Sequence, residues 1–293
     1  MVRTQSGILA PVAPCVRHLF FILSSGRDCR SSLRTLGDFA DGNQTVVGLG
    51  QSLVNALGAQ VAGLKTFPCY TGAGVDVPST PAAMWLCLRG DDRGEILHRA
   101  RAIEQAMSPS FHLLRAVDCF QYGSGRDLTG YEDGTENPKG EAALAAAAVA
   151  GCGPGLDGAS FVAVQQWIHD LNRFESMPTK EQDESIGRRR TDNQELTDAP
   201  PSAHVKRTAQ ESFQPAAFVL RRSMPWATEN EAGLMFVAFG KSFDAFEAQL
   251  RRMAGKEDGI TDAIFKFTRP VSGGYFWCPP IDNGRLDWRA LGL

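Results

Sequence analysis

The sequence predicts an α+β protein built from two units of the order β-α-β-β-α-β, each an antiparallel sheet with its helices outside. Three observations carry that expectation. The same succession of strand-like and helix-like segments occurs twice along the 293 residues. The strand candidates are short apolar runs, while the segments between them repeat their apolar residues at three- and four-residue steps. A hydrophobic share of 43% beside a charged share of 22% suits a globular chain that buries a substantial core.

In the first half, residues 18–24 form an apolar strand candidate. Residues 28–40 read as a helix with Leu33, Leu36 and Phe39 or Ala40 on one face. Residues 45–49 and 84–88 are the second and third strands. Asp91 or Asp92 can cap a helix carrying Ile96, Ala100, Ile103 and Met107 on its buried side, and 110–119 is the fourth strand. This is the order of a ferredoxin-like unit. Gly48-Leu49-Gly50 lacks the third glycine of a dinucleotide fingerprint, since position 53 is leucine, so no nucleotide site is read there.

The second half opens with a helix-forming run, 141–150, stopped by Gly151-Cys152-Gly153-Pro154-Gly155. Residues 160–168 are a strand, and 178–186 a helix with Pro178 in its first turn, where a missing N–H is tolerated. The polar stretch 187–215 is too long for a plain connector and reads as a functional or disordered loop. Strands at 218–220 and 234–239 follow. A helix capped by Ser242 then turns Phe243, Phe246, Leu250 and Met253 inward, and 274–278 is the last strand. With that one insertion the order repeats, which divides the chain into an N-terminal unit, 1–123, and a C-terminal unit, 124–293.

A net charge of −3 argues against a surface built to neutralise nucleic-acid phosphates. No apolar run reaches the roughly 18 residues a membrane-spanning helix needs, so no membrane partner is expected. The first apolar stretch is broken by Pro11, Pro14, Arg17 and His18 and does not read as a secretory signal. Seven scattered cysteines without a Cys-x-x-Cys pair suit reduced thiols in the cytoplasm better than a disulfide framework or a zinc site. Among the histidines, His18, His98, His112 and His169 read as packing or surface imidazoles, because no second ligand stands at helical or strand spacing. His204 differs in lying inside the long insertion, within Ser202-Ala203-His204-Val205-Lys206-Arg207-Thr208. Taken alone, it reads as an exposed loop histidine.

Between the two halves lies Gly130-Tyr131-Glu132-Asp133-Gly134-Thr135-Glu136-Asn137-Pro138. Asp-Gly and Asn-Pro are turn formers, and the glycines allow backbone angles closed to other residues, so the stretch is a tight polar loop. A lone Asp-Gly is usually only a surface turn. These nine positions, however, resemble the Gly-x-x-Asp-Gly-Thr-Glu-Asn-Pro signature of the dye-decolourising peroxidases, a haem peroxidase family. The resemblance runs from Gln5-Ser6-Gly7-Ile8-Leu9 to Gly273-Gly274-Tyr275-Phe276, nearly the whole chain.

The resemblance implies a haem-dependent peroxidase with haem b (iron protoporphyrin IX) in the C-terminal unit. Hydrogen peroxide is then the oxidant, and organic donors or dyes are oxidised by single electrons. A homo-oligomer, dimer or higher, goes with it. The same scaffold could instead serve a haem-handling protein that stores haem or removes its iron, with incidental peroxidase activity. His204 looks like the proximal histidine, which stands in a similar Ser-His-Val/Leu-x-Arg context and gives one imidazole nitrogen to haem iron. Asp133 looks like the distal carboxylate; an aspartate, ordinarily titrating at about 3.9, stays a base in mildly acidic solution, which predicts an acidic optimum.

Phe218-Val219-Leu220-Arg221-Arg222-Ser223-Met224-Pro225 matches the family's apolar-Arg-x-Ser/Asn-Met/Leu-Pro strand end, so Arg221 maps to the distal arginine and Ser223 to its polar neighbour. Alternation puts Arg221 and Ser223 on one face and Arg222 on the other, as a solvated strand end. Ile186-Gly187-Arg188 resembles the family's Ile-Gly-Arg turn, which sets Arg188 against a haem propionate, with Arg189 and Arg190 competing for that role. Glu136 falls near the haem edge by the same analogy. Many members place an aspartate ahead of Phe-Thr to hydrogen-bond the proximal imidazole. Here the stretch is Ile264-Phe265-Lys266-Phe267-Thr268, and Lys266 cannot accept that bond. Lys266 together with Arg221-x-Ser223 is similar to a smaller, compact bacterial-type branch, with Asp262 one substitute carboxylate left open. Trp226 and Tyr131 are aromatics placed to pass electrons outward, ordinary packing being the simpler role for each.

Overall fold

Residues 3–72 and 74–293 are described by the computed structural model. The first half comprises β1 (Cys15–Leu23), α1 (Arg30–Phe39), β2 (Thr45–Leu49), β3 (Met84–Gly90), α2 (Arg93–Met107) and β4 (Phe111–Phe120). The second continues with α3 (Gly140–Ala147), β5 (Ser160–His169), α4 (Thr179–Ile186), α5 (His204–Arg207), β6 (Leu220–Arg221) and β7 (Met224–Ala227). It closes with β8 (Ala232–Gly240), α6 (Asp244–Met253), β9 (Thr268–Pro270) and β10 (Gly274–Cys278).

Local chemistry sets several boundaries differently from the sequence reading. Asp92, not Asp91, caps α2, its carboxylate accepting the Glu95 N–H at 2.9 Å. Pro178 is the N-cap residue of α4 and so precedes its first turn. Phe243, not Ser242, holds the N-cap of α6, while the Ser242 hydroxyl accepts the Asp244 N–H at 3.3 Å. The strand expected at 218–220 begins at Leu220 and resumes, past Arg222 and Ser223, as β7 on the same partner β8. The stretch 187–215 is not irregular throughout, since it holds α5 and a backbone bridge between Arg188 and Glu195.

The architecture is mixed α/β, with antiparallel pairing throughout the described ladders. First-half strands lie in the order β2-β3-β1-β4 and second-half strands in the order β10-β5-β8-β7, with β6 added on β8 and β9 on β5. Two narrow seams, Trp277 opposite Leu49 and Cys119 opposite Trp226, join the edges. Eight strands therefore close into one ring. The sequence reading gives each half its own sheet, and neither repeat encodes this closure, which pairs edge strands that would otherwise stay open.

Phe20, Trp85, Phe239 and Phe276, drawn from both halves, pack together inside the ring. His18 joins them, its Nδ1 accepting the Trp85 indole N–H at 3.1 Å. Burial, with a smaller contribution from Arg115, pushes that imidazole down to about 3. His18 is thus the packing residue expected, and His98 and His112 are exposed. Arg222 departs from its expected role. It is half-buried, donating from Nη2 to the Leu9 carbonyl at 2.8 Å and from Nη1 to the Arg221 carbonyl at 3.0 Å, so it is no solvated strand end. A second apolar cluster lies under α1, α2 and α6 on the outside of the sheet. No helix among the described residues is long and apolar enough to cross a membrane.

Candidate functional site

Strand alternation decides where the site forms. Gln165, Trp167 and His169 fall on one face of β5, and Leu234 and Phe236 on the matching face of β8, where Leu234 stands opposite Trp167 and Phe236 opposite Gln165. These residues, with Arg221, wall one side of a slot. The other side comes from α5 and α6 through His204, Phe246, Leu250 and Met253. Both broad walls are largely apolar, and the polar groups stand at a few separated points.

The loop at residues 130–138 is fastened to the sheet through its own motif. The Asn137 side-chain amide donates to the Arg221 carbonyl at 3.1 Å, and its oxygen accepts the Arg221 N–H at 2.8 Å. This two-bond clamp imitates a strand pairing. Gly134 enables it. Its φ is +77°, and a Cβ there would stand 2.8 Å from the Asn137 amide nitrogen. The Asp133 N–H donates to the Gly125 carbonyl at 3.1 Å, which turns the carboxylate toward Arg221. Arg221 Nε lies 3.8 Å from Asp133 Oδ1 and has no hydrogen-bond partner among the described residues, so the pair faces the slot unclosed. Ser223 lies beside them, as alternation predicts, in an adjoining pocket lined also by Asp133, Arg221 and the exposed Tyr122. Its hydroxyl accepts the Val237 N–H at 3.3 Å.

On the opposite wall, His204 begins α5. Its Nδ1 lies 2.8 Å from Asp262 Oδ2, and the side chain of Asp262 is 0% exposed. The other Asp262 oxygen accepts the Ile264 N–H at 3.0 Å, so the carboxylate is held by its own turn as well as by the histidine. Asp262, left open by sequence reasoning, therefore supplies the acceptor that Lys266 could not. Lys266 points away, to Glu181 at 3.2 Å. His204 Nε2 has no hydrogen-bond partner among the described residues.

A second opening is lined by Asp133, Glu136, Arg188, His204, Lys206 and Arg221. Arg188 pairs with Glu136 at 2.5 Å and donates to the Asn193 carbonyl at 2.9 Å. Arg189 is committed to Asp192 at 2.6 Å, and neither it nor Arg190 lines the opening. Asp133, Glu136, Arg188, His204, Arg221 and Ser223 thus surround one slot and the two openings beside it, whereas Tyr131, Arg189, Arg190, Trp226 and Lys266 line none of them. Sequence reasoning missed Asn137, whose amide bonds the backbone of a strand far along the chain. It also read His169 as a bland imidazole, whereas His169 lines the slot and its Nε2 meets Asp127 at 2.9 Å.

The slot suits a flat, largely apolar group with a metal at its centre. One wall offers a single imidazole already oriented by a carboxylate, and the other offers an acid and a guanidinium. The Gln165 amide nitrogen, the Trp167 indole N–H and Arg221 Nε are buried at the slot wall without partners among the described residues, as at a site shaped for a guest. Haem fits this set.

Comparison with known proteins agrees. The family model described as "Dyp-type peroxidase, C-terminal" matches residues 124–283. A "Dye-decolorizing peroxidase" of Rhodococcus erythropolis is 31% identical over 251 residues, covering 83% of this chain and 74% of the relative. One from Mycobacterium tuberculosis is 29% identical over 94% of this chain and 88% of its own length. The crystal structure of a putative dyp-type peroxidase from Shewanella oneidensis superposes with a TM-score of 0.87 at 28% identity, covering 96% of this chain and 97% of that one. The chain belongs to the Dyp-type peroxidase family.

Proposed function

We propose that this protein is a haem-dependent peroxidase in which His204 holds the iron and Asp133 and Arg221 handle the peroxide. One observation carries the reading: a histidine fixed by a buried carboxylate faces, across an apolar slot, an unclosed carboxylate–guanidinium pair. Haem bound there would supply a redox iron that takes oxidising equivalents from hydrogen peroxide and passes them on to organic donors singly. Asp262 fixes the imidazole tautomer and raises its basicity. Peroxide arrives neutral, and Asp133 accepts its proton. Arg221 holds the peroxide and stabilises negative charge on the departing oxygen. Ser223 lines the route by which peroxide arrives. Arg188, the one arginine of its trio on the second opening, takes a haem propionate, with Glu136 beside it.

Each half, with its strand order, is taken as a ferredoxin-like unit, divided at residues 123 and 124. The Arg221-x-Ser223 pattern and Lys266 favour the compact bacterial-type branch. A homo-oligomer working in the cytoplasm on small organic donors completes the proposal, with the free thiols in keeping.

Stopped-flow mixing of the haem-loaded protein with hydrogen peroxide tests the division of roles. Arg221→Leu is expected to slow the reaction about 10²- to 10³-fold, and Asp133→Ala to slow it as well. A wild-type rate in Asp133→Ala beside a collapsed Arg221→Leu would remove Asp133 as the base.

A further inference from the structure

The loop that carries Asp133 is held at several points, among them Tyr131 on Asp183, Gln210 on the Glu136 carbonyl and the Asn137–Arg221 clamp. A further anchor is Asp127, a largely buried carboxylate just before the loop, with its side chain 16% exposed. One of its oxygens accepts the Thr129 N–H at 2.9 Å and the Thr129 hydroxyl at 2.5 Å, and its other oxygen accepts from His169 Nε2 at 2.9 Å. Its backbone also closes the turn, the Asp127 N–H donating to the Tyr131 carbonyl at 2.9 Å and the Gly130 N–H to the Asp127 carbonyl at 2.8 Å. Burial alone would raise this carboxyl, and the bonds from His169 and Thr129 more than offset it, holding it below the usual carboxylate range.

His169 is the last residue of β5, and its side chain is 6% exposed at the slot wall. Its Nδ1 lies 2.7 Å from Thr268 Oγ1, while the Thr268 hydroxyl donates to the Ile168 carbonyl at 3.0 Å. The threonine oxygen is therefore left as an acceptor, and both ring nitrogens face acceptors. Thr268 begins β9, which continues the segment that starts at Asp262, the partner of His204.

We infer that Asp127, His169 and Thr268 form a positioning relay that holds the Asp133 loop in register with the sheet and with the segment behind His204. His169 is on this account a positioning residue for the peroxide step, acting through the loop. The inference rests on Asp133 being the base, and the test separates the two ideas.

The experiment compares haem-loaded wild type, His169→Gln, Thr268→Val and, as reference, Asp133→Asn. Two readouts are taken: kcat/KM for hydrogen peroxide beside kcat/KM for a dye donor, and hydrogen–deuterium exchange of the amides of Thr129, Gly130 and Asp133. His169→Gln is expected to speed exchange in the loop and to lower kcat/KM for peroxide about ten- to a hundredfold, leaving the donor constant unchanged. An unchanged peroxide constant, with only the melting temperature lowered, overturns the relay. Should His169→Gln fail to fold, Thr268→Val, which exchanges the hydroxyl for a methyl group of similar size, carries the same expectations and decides the relay in the same way. If Asp133→Asn itself reacts at the wild-type rate, Asp133 is not the base. Loop exchange then decides the relay alone, accelerated exchange supporting it and unaltered exchange overturning it.

Discussion

Asp262 shows how a residue's role can depend on a neighbour that the sequence does not mark. The family habit directs attention to position 266, where lysine stands, yet the acceptor comes from a carboxylate at the start of the same short turn. Asp133, Arg221 and His204 were legible because each sits in a motif several residues long. Asn137 sits inside the motif, but its function depends on a backbone 84 positions away. No local pattern reveals that. Replacing Asp262 with asparagine is expected to lower haem affinity or turnover about 10- to 100-fold, measured by haem titration and steady-state kinetics. Wild-type values for both would remove Asp262 as the partner that tunes His204. Trp226 and Tyr131 are 3% and 4% exposed, with their polar atoms committed to the Trp167 carbonyl and to Asp183. Packing accounts for both positions, and on that reading Trp226→Phe and Tyr131→Phe are expected to keep dye turnover per haem while losing about 1 kcal/mol of stability. A drop in dye turnover with a normal peroxide reaction would show that electrons pass through them.

At the scale of elements, the turn after α4 sets the position of α5. Gly187 ends α4 with φ at +93°, and a Cβ there would run into the Val205 side chain, next to His204. A β-branched neighbour has little freedom to move aside. Gly187→Ala is therefore expected to cost at least about 1–2 kcal/mol in urea unfolding and to weaken haem retention. Unaltered stability and haem affinity would show that the Gly187 turn does not place the histidine. The long strands and α2 were readable because their apolar periodicity extends over several turns or pleats. Helix α5, at four residues, is too short to show a period, so the loop around His204 looked irregular in sequence. The β6–β7 strand was half visible. Its break at Arg222 and Ser223 hid the continuity, although alternation still placed Arg221 and Ser223 correctly.

For the molecule as a whole, the ring joins halves that the sequence presents only as repeats. Its seams are single residue pairs, and nothing in either repeat announces which edge meets which. The packed interior has a consequence for pH. His18 is neutral in the fold down to about 3 but titrates at 6.5 when unfolded. Below pH 6.5 the unfolded chain binds a proton that the folded chain refuses. His18 therefore adds no cost above pH 6.5, and stability falls by roughly 1.4 kcal/mol per pH unit between the two values. Urea midpoints across that window should fall less steeply for His18→Gln than for wild type. Parallel curves would mean that His18 does not stay neutral inside the ring.

The spectrum of His204→Ala tests the central claim most directly. Wild-type protein titrated with haem is expected to show a Soret band and a ferric spectrum typical of histidine ligation, saturating at one haem per chain. His204→Ala is expected to lose that spectrum or to bind haem weakly, with added imidazole restoring it in part. A mutant that keeps both the wild-type ferric spectrum and the wild-type affinity would contradict the assignment of His204, and with it the reading of the slot as a haem site between His204 and Asp133.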